Sequence, residues 1–205
     1  MSNKMIKKAA ACTLSAVMAF GLVAVTDAPK TTNVSAATKK VKKLSFKKKG
    51  YVMKVLKAVE EVNEHQKELL FHKLEKYYGG ALKGKTIAIW GLAFKPETDD
   101  MREATSLVII RLLKDAGCKI RVYDPVAMDE CHRRIGNDVE YAVDMYDAVL
   151  NADALLLLTE WKPFRLPSWG VLQKSMNRSV IIDGRNIYDG KELRQLGFDY
   201  YCIGQ

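Results

Sequence analysis

The residues that decide the fold are TIAIWG at 86–91, LAFKPETDDM at 92–101 and the segment from Arg102 to Ala116. TIAIW is a short apolar run that ends at Gly91, which is typical of a buried strand. From Arg102 to Ala116 apolar residues recur at helical spacing, and the following Gly117 is the stop signal expected after a helix. The sequence therefore predicts a strand, an unusually long turn and a helix in that order.

The same alternation of strands and helices continues to the C-terminus. Further strands are predicted at 119–123, 139–142, 154–159, 179–183 and 200–203, and helices near 128–135, after Asp144, after Ser168 and at 191–196. Several of these strands are almost wholly apolar, as expected for strands buried on both faces of a sheet. The sequence thus predicts an α/β fold: a Rossmann-like open, mostly parallel sheet with helices on both faces.

A long helix is predicted to precede this sheet, within residues 50–80. Apolar residues recur at helical spacing from Tyr51 to Tyr78, and Gly79-Gly80 ends the pattern. Such a helix is longer than a small domain needs to cover its sheet. Part of its apolar face is therefore expected to contact another domain or subunit.

The net charge of +9 is concentrated at one end of the chain. Residues 1–50 carry eleven lysines, no arginine and one acid, Asp27, so that the rest of the chain has a net charge of only −1. A nearly neutral folded part does not favour nucleic acid as a partner. The basic charge instead marks the N-terminal region as different in character from the rest.

Residues 1–37 resemble a secretory signal peptide. Lys4, Lys7 and Lys8 precede an uncharged stretch from Ala9 to Val25, and Val34-Ser35-Ala36 has the small residues of a cleavage site. A membrane anchor and a soluble helix are the alternatives. Residues 38–49 form a lysine-rich segment, interpreted as a disordered basic linker, with a polybasic contact to a membrane surface or nucleic acid as the alternative.

The cysteines do not support export. Removal of a leader would take Cys12 and leave three widely spaced cysteines, Cys118, Cys131 and Cys202. An odd number without close spacing argues against a disulfide framework and fits a cytoplasmic domain. The predicted location is therefore unresolved: the leader predicts export to the envelope or medium, and the cysteines predict the cytoplasm.

The long turn after the first strand is the most informative segment for function. It lies where open α/β sheets bind ligands, at the carboxyl end of a strand. Because it has a single glycine, it does not match the G-x-G-x-x-G dinucleotide fingerprint. Lys95 and Arg102, together with the N-terminus of the next helix, suit an anion or a nucleotide phosphate. The alternative is a solvated loop.

Two other strand ends carry candidate residues. Arg185, which follows Gly184, has the chemistry to bind a pyrophosphate with two donors, or else to pair with Asp183 or a neighbouring acid. In TEWKPFR at 159–165, Trp161 is suited to stack on a base or to pack in the core. Asp124, at the end of the second strand, is either a ribose-binding acid or a turn residue before Pro125.

Three of these segments together resemble one known family. GLAFKPETDDMREA at 91–104, ADALLLLTEWKPFR at 152–165 and VIIDGRNIYD at 180–189 resemble the C-terminal UDP-binding domain of the UDP-glucose/GDP-mannose dehydrogenase family. The resemblance covers about residues 50–205, with 81–205 as the UDP-binding domain. FKPETDD and TEWKPFR favour the UDP-glucose 6-dehydrogenase branch over the GDP-mannose and N-acetylhexosamine branches.

The resemblance implies a function and a set of site residues. The family oxidises the C6 alcohol of a nucleotide sugar to a carboxylate with NAD+, through a covalent cysteine adduct. By motif, Phe94, Lys95 and Arg185 would contact the UDP-sugar, and Arg102 would reach toward NAD bound mainly by another domain. The predicted partners are UDP-glucose or UDP and a homodimer formed through the helix at 51–78, with membrane contact only through the leader.

The sequence departs from the family in what it lacks. The N-terminal dinucleotide-binding domain and the Gly-Gly-x-Cys-x-Pro segment with the nucleophilic cysteine are absent from these residues. No catalytic residue and no metal ligand is predicted, and the chain alone is expected to be inactive. The alternatives are an exported non-catalytic binding or interaction module, or a chimera produced by gene assembly near residues 38–50.

Overall fold

The structure is a computed structural model, which describes residues 54–204. Its helices are α1 (Lys54–Tyr77), α2 (Thr105–Asp115), α3 (Met128–Ile135), α4 (Met145–Val149), α5 (Trp169–Ser175) and α6 (Gly190–Gln195), with a 3-10 helix at Lys162–Phe164. Its strands are β1 (Thr86–Trp90), β2 (Lys119–Tyr123), β3 (Glu140–Tyr141), β4 (Ala154–Leu157), β5 (Val180–Asp183) and β6 (Asp199–Cys202). The predicted leader at 1–37 and basic linker at 38–49 lie outside the described residues.

The strands form one parallel sheet in the order β3-β2-β1-β4-β5-β6. The registers fix β1 at the centre, with Ile87 opposite Ile120 on β2 and opposite Ala154 on β4. All residues of β4 and β5 are buried, because helices cover both faces of the sheet. The predicted fold, an open parallel Rossmann-like sheet preceded by one long helix, is confirmed.

The strand order has a direct consequence for ligand binding. From β1 the chain first builds outward through β2 and β3, then returns to add β4, β5 and β6 on the other side. The connections that leave β1 and β4 therefore diverge to opposite faces of the sheet. A crevice opens between them at the carboxyl ends of the strands, which is where doubly wound sheets bind nucleotides.

Helix α1 is joined to the sheet by its C-terminal half only. Leu70, Phe71 and Leu74 are buried in the core beneath it, and the helix packs on α2 and β5. Its N-terminal half exposes apolar side chains, of which Val55 is the most exposed at 76%. The exposed apolar stripe comprises Val55, Leu56, Val59 and Val62. Within residues 54–204, no helix has both the length and the apolar composition to cross a membrane.

The predicted start of α2 is wrong by three residues. The helix begins at Thr105, and Arg102 lies in the turn before it. Asp100 accepts a hydrogen bond from the backbone N–H of Arg102, and Glu103 has a φ of +56°, which no helix tolerates. The helical spacing of apolar residues therefore begins earlier than the helix itself, because a hydrogen bond between a side chain and the backbone holds the preceding residues in a turn.

Candidate functional site

Three loops meet at the carboxyl edge of the sheet, after β1, β4 and β5. The first two approach each other so closely that only glycine fits at the contact. Gly91 has a φ of +92°, and a Cβ there would lie 2.5 Å from Cβ of Thr159. A Cβ at Gly184, after β5, would likewise lie only 2.8 Å from the carbonyl oxygen of Leu157. These two glycines bring the three sequence motifs together.

A cleft of about 240 Å³ lies where the loops meet. It is lined by Ala93, Phe94, Glu103, Thr105, Ser106, Leu158 and Arg185. Phe94 and Arg185, predicted as substrate-binding residues from motifs far apart in sequence, thus share one cleft. The first turn of α2 forms part of its wall, which places a helix N-terminus at the cleft.

Arg185 is held by three neighbouring groups. Its Nε donates to the carbonyl oxygen of Leu158 at 2.9 Å, and its Nη2 donates to that of Phe94 at 3.1 Å. Nε also lies 2.7 Å from Oε2 of Glu160, a buried oxygen that receives no hydrogen bond. The pairing with a neighbouring acid is therefore present, with Glu160 as that acid. About a third of the Arg185 side chain remains exposed to solvent.

The Asp183 carboxylate binds backbone N–H groups and does not form the ion pair with the Arg185 side chain that the sequence suggested. It is fully buried and accepts hydrogen bonds from the backbone N–H groups of the four residues 185–188. The hydroxyl of Tyr200 donates to it as well, at 3.0 Å. Burial, followed by the Asp183 charge, raises the pKa of the Tyr200 hydroxyl above its usual range. Asp183 thus fixes the turn that presents Arg185.

Phe94 and Lys95 project from the loop after β1. The Phe94 ring is 42% exposed at the edge of the cleft. Lys95 is exposed and does not line the cleft, and its Nζ lies 5.3 Å from the centre of the Phe94 ring. The flexible lysine stem extends from the rim, so its ammonium group is available to a ligand seated against Phe94.

Arg102 lies apart from this cleft. It lines a second cleft of about 370 Å³, between the loop after β1 and helix α3. The other lining residues are Thr98, Asp99, Asp100, Glu130, Arg133 and Arg134. Hydrogen bonds from the Arg102 guanidinium lower the pKa of the Asp100 carboxyl to about 2. The structure therefore separates Arg102 from Phe94 and Arg185.

Sequence reasoning missed Ser106, which lines the cleft, and Thr159, which bonds the loop after β4 to the loop after β1. Ser106 donates to the carbonyl oxygen of Leu92 at 2.5 Å, and Thr159 donates to that of Ala93 at 2.6 Å. Both side chains are buried. The available signal was a small hydroxyl residue just after a strand or at the start of a helix. That signal does not identify the carbonyl partners, because they are distant in sequence.

Two of the described cysteines, Cys118 and Cys131, are not suited to nucleophilic chemistry. Burial raises the pKa of the Cys118 thiol and of the Cys131 thiol to about 11 each. Cys131 and Cys202 are buried, and no two of the cysteines within residues 54–204 form a disulfide. At neutral pH Cys118 and Cys131 are thiols rather than thiolates, so neither is an activated nucleophile.

Comparison with known proteins gives a consistent result. Residues 88–190 match the model of the UDP-glucose/GDP-mannose dehydrogenase family, UDP binding domain. A UDP-glucose 6-dehydrogenase of Pseudomonas aeruginosa is 44% identical over 78% of this chain and 37% of its own length. The UDP-glucose 6-dehydrogenase TuaD of Bacillus subtilis is 39% identical over 78% of this chain and 34% of its own length.

Solved structures agree with the sequence matches. A UDP-glucose dehydrogenase from Pyrobaculum islandicum superposes with a TM-score of 0.60 and 30% identity, over 72% of this chain and 31% of the other. A UDP-D-ManNAc dehydrogenase from Pyrococcus horikoshii gives a TM-score of 0.58 and 26% identity, over 77% of this chain and 35% of the other. The chain spans about a third of the length of the curated relatives it matches.

Proposed function

The chain belongs to the UDP-glucose/GDP-mannose dehydrogenase family, and on that premise we propose that its first cleft binds the UDP part of a UDP-sugar, with UDP-glucose as the sugar nucleotide. The observation that carries the proposal is the meeting of Phe94, Arg185 and the N-terminus of α2 in one cleft. That cleft lies at the switch point of the sheet, between β1 and β4.

The chemistry of the cleft fits a nucleoside diphosphate. Arg185 offers a planar cation on one side, and the positive end of the α2 dipole faces the same space. Lys95 adds a second, mobile cation at the rim. The half-exposed Phe94 ring gives an aromatic surface on which a uracil ring is able to stack. In this proposal Phe94, Lys95 and Arg185 are the substrate-binding residues.

The described residues do not by themselves fit NAD. The turn from β1 to α2 contains a single glycine, Gly91, and does not match the G-x-G-x-x-G pattern of dinucleotide-binding turns. We propose that NAD is bound mainly by another part of the dehydrogenase, with Arg102 directed toward it from the second cleft. The oxidation of a UDP-glucose alcohol to a carboxylate is then a property of the whole enzyme.

The chain alone is proposed to be inactive in hydride transfer. Cys118 and Cys131 have pKa values raised by burial to about 11, which supports this, since a covalent mechanism needs a thiolate. Mixing UDP-glucose, NAD+ and this chain should give no NADH absorbance. The same mixture with the N-terminal half of a relative added should give NADH, whereas an exported binding module would give none in either case.

The exposed apolar stripe on α1 supports a homodimer. Val55, Leu56, Val59 and Val62 lie on a helix whose other half is packed in the core, and a second copy would cover them. Sedimentation at micromolar concentration should show a dimer, and Val59→Glu should give a monomer. A native chain that stays monomeric at every concentration would contradict this part of the proposal.

The domain organisation is likewise a proposal for the residues before α1. Residues 1–37 are proposed as a signal-peptide-like leader and 38–49 as a basic linker, followed by the long helix within 50–80 and the UDP-binding domain at 81–205. Cell fractionation with mass spectrometry of the N-terminus separates export from cytoplasmic retention. Cleavage before Ala37 would support the leader, and an intact N-terminus in the cytoplasm would contradict it.

Calorimetric titration of the full chain with UDP tests the central proposal. A single cleft that offers two cations, without the rest of the enzyme, should give a Kd near or above about 1 mM, because association costs offset much of the charged hydrogen bonding. Arg185→Gln and Lys95→Ala should each weaken binding, the former about tenfold. Arg111→Gln and Lys174→Ala change exposed helical residues that do not line the cleft, and they should leave the Kd unaltered. Absence of saturable binding at about ten times the expected Kd would refute the proposal.

A further inference from the structure

The short segment from Leu92 to Phe94, which leads into Lys95, has every backbone polar group hydrogen-bonded. The N–H groups of Leu92 and Ala93 donate to Oδ2 of Asp124, and the N–H group of Phe94 donates to the carbonyl oxygen of Asp100. The carbonyl oxygens of residues 92, 93 and 94 accept hydrogen bonds from Ser106, Thr159 and Arg185, respectively. A loop with this degree of bonding is fixed by its surroundings rather than by its own sequence. The backbone position from which the Phe94 side chain projects is therefore fixed before a ligand arrives.

Among these partners Asp124 makes the most contacts. It is 1% exposed at the end of β2. Its Oδ2 accepts hydrogen bonds from the N–H of Leu92 at 2.7 Å, the N–H of Ala93 at 3.2 Å and the indole Nε1 of Trp161 at 3.0 Å. Its Oδ1 accepts from the N–H groups of the two residues 126 and 127, at 2.9 and 2.8 Å. A buried carboxylate is tolerated here because every partner is a donor.

These bonds cross from one loop to another. Leu92 and Ala93 belong to the loop after β1, whereas Trp161 belongs to the loop after β4, and both loops line or support the cleft. Asp124 itself follows directly after β2 and does not line the cleft. By contrast, Asp183 bonds mainly to its own turn, at residues 185–188. Asp124 therefore joins the two loops that the switch point separates.

We propose that Asp124 is a positioning residue of the nucleotide site, which holds the loops after β1 and β4 in the one arrangement that presents Phe94 and Lys95 to the ligand. The expected effect on ligand affinity rests on the proposed UDP binding, whereas the hydrogen bonds of Asp124 to the two loops do not depend on it. Of the two alternatives for Asp124, a turn residue agrees with its bonds to the N–H groups of residues 126 and 127. A ribose-binding acid does not, since a carboxylate with five donors already bound has little capacity left for a ligand hydroxyl.

The side chain must be a carboxylate for this role. Asparagine has the same shape but carries one acceptor oxygen and one NH2 group. In either orientation the NH2 would face backbone N–H donors, so that two or three of the five bonds are lost in a buried place. Asp124→Asn therefore weakens the link between the loops without creating a cavity. An NH2 group in place of Oδ2 faces the three donors of the two loops, and one in place of Oδ1 releases the side chain from its anchor at residues 126 and 127.

The test compares Asp124→Asn with Asp144→Asn in the full chain. Asp144 accepts two backbone N–H bonds as the N-cap of α4, where asparagine is an equally good cap. Amide hydrogen exchange, the 15N–1H signal of the Trp161 indole and UDP titration are measured on both. In Asp124→Asn the amides of Leu92 and Ala93 should exchange at least about tenfold faster, the indole signal should move upfield, and UDP should bind about tenfold more weakly.

The outcomes separate the positioning role from mere stability and from the proposed function. In Asp144→Asn all three readouts should match the native chain. If the native chain binds no UDP, the proposed function fails, and the exchange and indole data still decide the role of Asp124. Native exchange rates at Leu92 and Ala93 in Asp124→Asn, or native UDP affinity where the native chain binds UDP, would overturn the inference.

A second variant covers the case in which Asp124→Asn does not fold. Trp161→Phe keeps an aromatic side chain in the core and removes the one donor from the loop after β4. It should increase the exchange rate of the Ala93 amide by about threefold, with a smaller change in thermal stability than a core truncation would cause. Exchange indistinguishable from the native chain in Trp161→Phe would also overturn the inference.

Discussion

Substituting Gly91 by alanine tests the close contact between the loops after β1 and β4. Gly91 has a φ of +92°, and an added Cβ would lie 2.5 Å from Cβ and 2.6 Å from the backbone nitrogen of Thr159. The nitrogen is part of a buried backbone directly after β4, so it has no rotamer through which to move away. The loops must separate to admit a single methyl group.

The expected cost has two parts. A non-glycine residue with a left-handed φ costs about 1 kcal/mol or somewhat more. Forcing a methyl group into packed backbone adds about 1–3 kcal/mol. The sum of roughly 3 kcal/mol corresponds to a fall in Tm of about 10 °C for a domain of this size. UDP affinity should fall as well, because both loops support the cleft.

Gly80→Ala is the matched control for the conformational part alone. Gly80 has a φ of +83°, and a Cβ there would meet nothing within 4 Å. Thermal unfolding followed by circular dichroism should therefore show a fall of about 3 °C for Gly80→Ala and a clearly larger one for Gly91→Ala. Equal shifts in the two variants would refute the reasoning that the loops are in tight contact at Gly91.

Three further predictions concern charge and thiol chemistry. The 13C carboxyl signal of Asp100 should titrate near pH 2, and in Arg102→Gln the pKa of Asp100 should return toward its ordinary value. The stabilising contribution of the Asp100 carboxylate is present above about pH 4 and is lost as the pH falls toward 2. Glu160→Gln should strengthen UDP binding about fivefold in calorimetry, because it frees Arg185 from a competing carboxylate; weaker binding would argue against that competition. Cys131 should resist iodoacetamide at pH 7.5 in the native state, as judged by peptide mass mapping, and rapid labelling would contradict its raised pKa.

The architecture could be predicted well because it depends on local patterns. The strand predictions at 86–90 and 119–123 agree with β1 and β2 to the residue, since each is an apolar run with a clear stop. Helix α3 at Met128–Ile135 is likewise confirmed. Ser168 shows where local reasoning ends. It occupies the N-cap position of α5, but its side chain makes no capping hydrogen bond, whereas Asp144 caps α4 as its residue type favours.

The candidate site could be predicted in part. Phe94 and Arg185 share a cleft, as residues at the carboxyl ends of neighbouring strands should. Arg102 could not be placed, because its turn is set by Asp100 and by the left-handed φ of Glu103. The role of Asp124 was not accessible either, because its partners Leu92 and Trp161 lie more than 30 positions away in sequence. Contacts of that range become visible only once the sheet is assembled.

The most direct test of the central claim is to map UDP-glucose binding on the 15N-labelled chain by chemical shifts. The account predicts saturable shifts, with a midpoint near or above about 1 mM, concentrated in residues 91–95, 103–106, 158–160 and 184–186. Shifts centred instead on the second cleft around Arg102 and Arg134, or no saturable shifts at all, would contradict the claim that the cleft at the switch point binds the nucleotide.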